Sequence, residues 1–542
     1  MISSMLFVCL FVAVLCAAAA GTRPNIVLFI ADDLGWNDVG YHGSNVVPTP
    51  NIDALAYSGI SLHNYYVAPI CTPSRAALMT GKYPIHTGMQ HGVLMGSEPR
   101  GLPLSEKILP QYLKDVGYKT HLVGKWHLGS YKRDYLPLNR GFDSHLGFWT
   151  GRIDMYEHTT MECGTWGFDF RRGFDIAHDL YGKYATDIYT NEAIKVIANH
   201  NKTEPLFLMV SHSAVHSGNP HEPIRAPDKV IEQFKHIDDY QRQKFAAVLS
   251  KLDESIGLVM ESLQSHGLLD NSVIVFSTDN GGPAAGFNDN AASNYPLKGV
   301  KNTLWEGGVR GAGVLWSPLL APGARPRVAR QRLHIVDWLP TLLGAAGLNQ
   351  SCLPEMDGIN QWDALSKDTD SERTQLVLNI DDIYGSAAIT DDQWKLIIGT
   401  NYKGLWDNWY GPAERNGTYN IDAVFKQPVG KIMKTLGLMP DQKKITELRE
   451  AATIKCGDVE KTPCNPLVAP CLFNIEKDPC EYNNLAEKEP GILQRMLLEM
   501  DRVNQTAVPP NNEPTDPRGD PKYWSRVFTN FGDYQTTNIF VL

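Results

Sequence analysis

No apolar run beyond the first twenty residues is long enough to span a bilayer, which sets aside the integral membrane class. Short Cys-x₂₋₄-Cys pairs, the usual spacing of zinc ligands, are missing, so a structural zinc site is not expected. Neither an internal repeat nor a low-complexity tract is present, and the last residues carry no KDEL-like retention signal. Positive charge is in deficit, 50 Lys and Arg against 60 Asp and Glu, for a formal net charge of −10. That balance argues against broad nucleic-acid binding, and a polyanionic ligand would need a local basic cleft to draw it in. In an acidic compartment the sixteen histidines would protonate and reduce the repulsion.

What remains is ordinary globular composition, 43% apolar and 20% charged, with enough chain for large cores. Met5–Ala20 is a short apolar run ending in alanines, and it reads as a secretory signal over residues 1–20 although its basic n-region is missing. Its rival, a membrane anchor, would need a longer run. Behind such a signal the four Asn-x-Ser/Thr triplets at Asn201, Asn349, Asn416 and Asn504 read as surface glycan sites. Nine cysteines lose Cys9 and Cys16 with the signal. Setting Cys71 apart leaves Cys163, Cys352, Cys456, Cys464, Cys471 and Cys480, an even number that suits disulfides in an oxidising compartment. Spacing does not give their pairing.

Four runs share one design, apolar and β-prone, then abruptly polar. Asn25–Ile30 leads into Asp32 and Asp33, and His121–Gly124 leads into Lys125 and His127. Leu206–Val210 leads into His212 and His216, and Val273–Phe276 into Asp279 and Asn280. Such runs fit strands buried on both faces of a mostly parallel sheet, with helical patterns between them at Leu104–Val116, Tyr184–Asn199 and Phe245–His266. The alternation predicts an α/β domain over residues 21–385, in which ligands bind beyond the carboxyl ends of the strands. From about residue 386 to 542, short alternating pieces such as Ser386–Ile398 and Leu472–Ile475 predict a smaller domain with an antiparallel sheet. The last thirty residues either wrap the core or stay free of it.

The polar strand ends carry the chemistry. Pro73 suits the first turn of a helix that Gly81 would stop, so Cys71 is expected at a helix N-terminus, where free amides and the macrodipole favour an anion. The same position predicts a lowered thiol pKa if the cysteine stays unmodified. Its plainer reading is a structural or disulfide-bonded cysteine beside a turn. Asp32, Asp33, Asp279 and Asn280 offer only oxygen ligands, the preference of Ca²⁺ or Mg²⁺. Taken alone, Asp279-Asn280-Gly281-Gly282 is an ordinary turn. Lys125, His127, His216 and Lys301 are the candidates for charge stabilisation and proton transfer.

Six segments together resemble the type I sulfatases, and within that family the N-acetylgalactosamine-4-sulfatases (arylsulfatase B). They are Asp32–Asp38, Cys71–Gly81 (CTPSRAALMTG), Gly117–Gly129 (GYKTHLVGKWHLG), Ser277–Gly282, Leu297–Gly311 and Asp337–Thr341. The likeness is dense over residues 23–345 and patchy beyond. It implies an alkaline-phosphatase-like mixed sheet and one Ca²⁺ held by Asp32, Asp33, Asp279, Asn280 and residue 71. It also implies that Cys71, in its Cys-x-Pro-x-Arg setting, is oxidised to formylglycine by a formylglycine-generating enzyme. The hydrated aldehyde would attack sulfur with one hydroxyl and expel sulfate with the help of the other, a step closed to an ordinary serine. By the same likeness Arg75 stabilises the hydrate, Lys125 and Lys301 clamp sulfate, and His127 is the base for elimination. His216, with His212 and His221 near it in sequence, protonates the leaving oxygen. The implied substrate is a sulfated amino sugar of a glycosaminoglycan. The alternatives are a small sulfate ester such as a glucosinolate, or sulfated-glycan binding without catalysis. Phosphate ester hydrolysis on a related fold would often use two metals, and only one oxygen-ligand set is seen. Specificity is expected in the loops Gly92–Arg100, Arg152–Arg172 and Lys403–Gly417, and the location in the lysosome or outside the cell.

Overall fold

A computed structural model of the chain describes residues 23–534; the expected signal segment lies outside them. The strands Ser272–Thr278, Asn25–Ala31, Leu206–Ser211, Lys119–Lys125 and Ser144–Phe148 lie side by side in that order and run parallel. They form the centre of a ten-stranded mixed sheet. Gly313–Trp316 joins one flank antiparallel to Ser272–Thr278, followed by Ile60–Tyr66 and Arg327–His334, while two short strands close the other flank.

The unbroken apolar runs are explained by burial on both faces. Val27 and Phe29 point into one core with the helices Ala185–Asn199 and Tyr240–Ser265, whereas Ile26, Leu28 and Ile30 point into a second. That second core holds the helices Cys71–Thr80, Leu109–Asp115 and Trp338–Ala345. The helix expected from Leu104 begins only at Leu109, with Pro110 in its first turn.

The smaller sheet is antiparallel with four strands, Gln375–Asp381, Ser386–Asp391, Trp394–Ile398 and Cys471–Asn474. The expected boundary at 385/386 falls in the turn between its first two strands. Disulfides join Cys456 to Cys480 and Cys464 to Cys471. Cys163 departs from the expected pairing: it is an exposed free thiol at the turn of the hairpin Thr159–Phe168. The C-terminal tail lies along the hairpin Thr159–Phe168, where Phe168 N–H donates to the Arg526 carbonyl and the Phe168 carbonyl accepts from Phe528 N–H on either side of the Val527 bridge. Among the described residues no helix is long and apolar enough to cross a membrane. Asn201, Asn349, Asn416 and Asn504 are all exposed.

Candidate active site

The carboxyl ends of the parallel strands bring the predicted residues to one place. Asp32 and Asp33 follow the strand ending at Ala31, Asp279 and Asn280 the strand ending at Thr278, and Lys125 closes its own strand. Cys71 is the first residue of the helix Cys71–Thr80, which Gly81 ends in a left-handed turn at φ 68° while donating to the Ala77 carbonyl. The Cys71 sulfur lies 3.7 Å from Asp32 Oδ1.

Arg75, one helical turn on from Cys71, donates to Asp279 Oδ2 from Nε at 3.0 Å and pairs with it through Nη2 at 2.7 Å. Its Nη1 donates to Ser211 Oγ at 2.7 Å. Lys125 Nζ donates to both Asp32 oxygens, at 3.0 and 2.7 Å. Lys301 Nζ pairs with Asp33 at 2.7 Å and lies 3.1 Å from His216 Nε2. The strap carrying Lys301 is tied on both sides, Lys301 N–H to the Gly282 carbonyl and Asn302 N–H to the Pro69 carbonyl. Among the predicted site residues, Asp33 at φ 67° and His127 at φ 60° adopt left-handed backbone, which is the kind of strain found where side chains must be aimed. Gly124 has φ 104°, and a Cβ there would collide with the Ser211 carbonyl oxygen.

Burial sets the protonation states. Desolvation pushes the Cys71 thiol up to about 12, against the pull of Lys125 and Lys301, so the lowered thiol pKa expected from its helix position is not found. A fully enclosed sulfur loses more hydration than the helix amides and lysines return. Burial raises Asp33, but His216 and Lys301 outweigh it and hold the carboxyl below its usual range. Burial and the facing Asp32 raise Asp279. His127 is held well below the usual imidazole value by desolvation, then by Lys125 and Arg75. His216 is also held well below it, by desolvation against the opposing field of Asp33.

Hydrogen bonds fix both imidazole tautomers. His127 Nε2 lies 2.9 Å from the Leu94 carbonyl, which can only accept, so Nε2 carries the proton and buried Nδ1 keeps a free lone pair. His216 Nδ1 lies 2.6 Å from the Ser217 carbonyl, leaving Nε2 to accept from Lys301. His212 instead sits deep against Ser255, and His221 is exposed, so neither joins the site.

The donor set suits a hard divalent cation. Asp32, Asp33 and Asp279 supply carboxylates, and the Asn280 amide turns its NH₂ to Asp33 Oδ1 at 2.7 Å, leaving its own Oδ1 buried without a donor. Ligand atoms of Asp32, Asp33, Cys71 and His216 all fall within 4.8 Å of one another. Above them opens a cavity of about 250 Å³ lined by Cys71, His127, His216 and Lys301. Val93, Met95, Arg152, Tyr402, Phe287 and Asn288 line it too; the last two lie in a loop that the sequence did not single out. Ser211 and the Leu94 carbonyl were likewise unmarked, since a serine at a strand end and a backbone oxygen carry no sequence signature.

The family model for sulfatases matches residues 24–348. Arylsulfatase J of Mus musculus is 38% identical over 528 residues, covering 93% of this chain and 80% of its own. N-acetylgalactosamine-6-sulfatase of Homo sapiens is 31% identical over 362 residues, covering 64% and 66%. The crystal structure of Ps i-CgsB in complex with k-i-k-neocarrahexaose superposes with a TM-score of 0.69 at 26% identity, over 92% of this chain and 96% of that one. With the match spanning more than half its length, the chain belongs to the sulfatase family.

Proposed function

We propose that this sulfatase removes sulfate from sulfated amino sugars of glycosaminoglycans, working in the secretory pathway, in the lysosome or outside the cell. One observation carries the reading: Cys71 opens a buried helix N-terminus within reach of three carboxylates, two lysines and two neutral histidines. The sugar comes from the relatives, one of them an N-acetylgalactosamine-6-sulfatase. The 4-sulfate position rests on the sequence resemblance alone.

Asp32, Asp33, Asp279 and the Asn280 amide oxygen are the residues that would hold Ca²⁺, which when bound would polarise a sulfate oxygen. Oxidised to formylglycine, residue 71 would supply as its hydrate an oxygen nucleophile that can later release sulfate. The chain's own groups do the rest. Arg75 is locked by Asp279 and Ser211, so its guanidinium fixes charge beside residue 71 without moving. Lys125 and Lys301 place two ammonium groups on either side of the Asp32–Asp33 pair, where they neutralise an incoming sulfate. His127 Nδ1, unprotonated and unpaired, is the base. The Lys301–His216 pair shares a proton at 3.1 Å and delivers it to the departing alcohol oxygen.

The test is sulfate release from glycosaminoglycan oligosaccharides sulfated at the 4 or 6 position and from a small aryl sulfate, with mass spectrometry of the peptide holding residue 71. The wild type should carry an aldehyde there, and Cys71→Ala should lose about 10³-fold or more in rate on every substrate. An active preparation with an intact thiol at 71 would overturn the reading.

A further inference from the structure

A row of aromatic rings leads out of the catalytic cavity. Phe287 and Tyr402 line the cavity with Cys71 and Lys301, and their ring centroids are 5.2 Å apart. Phe287 then meets Trp406 at 5.0 Å, and Trp406 meets Trp409 at 5.2 Å. Burial does not explain the row: Tyr402 is 42% exposed, Trp409 45%, and the adjoining Leu405 67%. Exposed apolar surface continuous with a site of this kind marks a ligand contact.

The row is also held in place. Asn302, next to Lys301, donates to the Tyr402 hydroxyl at 2.8 Å and accepts at its carbonyl from Asn401 Nδ2 at 2.5 Å. Thr400 Oγ1 donates to buried Asp407 at 2.6 Å, bracing the loop from beneath. Left-handed backbone at Ala285, Asn288 and Asp289 in one loop and at Tyr402 and Lys403 in the other shows that both are fixed in costly conformations. A sulfate bound at Lys301 therefore has rigid ring faces beside it.

Resting on the sulfatase reading above, we infer that Phe287, Tyr402, Trp406 and Trp409 form a subsite for sugar rings beyond the sulfated one, so the substrate is an oligosaccharide and not an isolated ester. The electron-rich faces of the rings suit the C–H faces of pyranoses. A small sulfate ester fills the cavity and reaches only its first two rings. Trp406 and Trp409 have a role only if the ligand extends past it.

The experiment compares wild type, Trp406→Ala and Trp409→Ala on a chondroitin sulfate tetrasaccharide and on 4-nitrocatechol sulfate. In parallel, tetrasaccharide binding to each Cys71→Ala protein is followed by calorimetry. The expected result is a KM for the tetrasaccharide raised about three- to tenfold in each tryptophan variant, with kcat/KM on the aryl sulfate changed less than about twofold. The dissociation constant should weaken by the same factor. Equal losses on both substrates, or no loss on either, would overturn the inference. Wild type inactive on both substrates would sink the sulfatase reading instead, while the calorimetric comparison still decides whether the tryptophans bind sugar.

Discussion

His127 shows how a side chain's chemistry is set by one backbone atom. Because the Leu94 carbonyl claims Nε2–H, only Nδ1 can take a proton, and desolvation with Lys125 and Arg75 keeps it free to do so. His127→Gln preserves a donor for that carbonyl but removes the proposed base. The expected outcome is kcat lowered about 10²–10⁴-fold with an unchanged melting temperature, checked by steady-state kinetics beside thermal denaturation. That Asp32, Asp33, Cys71, Arg75, Lys125 and Lys301 come together was legible because each is a charged or reactive group directly after an apolar run or inside a spaced motif. The state of Cys71 was not. A helix N-terminus favours a thiolate, but the enclosure that reverses the sign comes from packing distant in sequence.

The helix Pro50–Ser58 depends on a partner two hundred residues away. Asp253, inside the long helix Tyr240–Ser265, accepts the backbone N–H groups of Asn51 at 3.0 Å and Ile52 at 2.9 Å, taking up two otherwise orphaned donors of that helix's first turn. Thr49 stands at the N-cap, but its hydroxyl donates to Asp53 and does not serve the helix amides, so nothing local in the sequence announces the distant carboxylate that does. Burial pushes the Asp253 carboxyl up to about 7 from an ordinary 3.8, despite those hydrogen bonds. A raised folded-state pKa means that the folded chain binds the proton more tightly than the unfolded one. Its stabilising effect is full below the unfolded value near 3.8 and is lost as pH rises through about 7. Asp253→Asn keeps the shape without the titration. The melting temperature of the wild type relative to this variant should therefore fall from about pH 4 to about pH 7 and level off above it, read by calorimetry at each pH. A difference that stays flat or rises would place the carboxyl's pKa below that window. The strand ends were easier to read, since four of the five parallel strands appear as apolar runs that stop where water and ligands begin; the fifth, Ser144–Phe148, carries no such run and was not foreseen.

The smaller sheet is bound to the catalytic part by buried charge as well as apolar contact. Lys395, on its strand Trp394–Ile398, pairs with Glu306 at 2.9 Å and with Glu481 at 2.8 Å, and all three side chains are fully buried. Glu306 also accepts from the Tyr66 hydroxyl at 2.9 Å and pairs with Arg310 at 3.2 Å. It belongs to the same strap as Lys301, and Glu481 follows the disulfide-bonded Cys480. Helices from the C-terminal part add to the union: Val429 and Met433 enter one main core, Met496 and Met500 the other. Composition signalled a change of texture near residue 386, but not that these later segments complete both earlier cores. Lys395→Met would leave buried Glu481 without its ion pair and Glu306 with Arg310 alone. Burial and the neighbouring Glu306 already raise Glu481 to about 7 even with Lys395 in place, so on losing the lysine it should take up a proton first. The expected cost is about 3–5 kcal/mol of stability. It should appear as one cooperative transition at lower temperature, because residues of the C-terminal part enter both main cores. Adding Glu481→Gln to Lys395→Met should recover part of that loss, since the second change removes the charge that the first left without its ion pair. Two separate transitions in the single variant, or strictly additive losses in the pair, would mean that the small sheet folds as an independent unit and that the Lys395 network is not what joins it to the strap of Lys301.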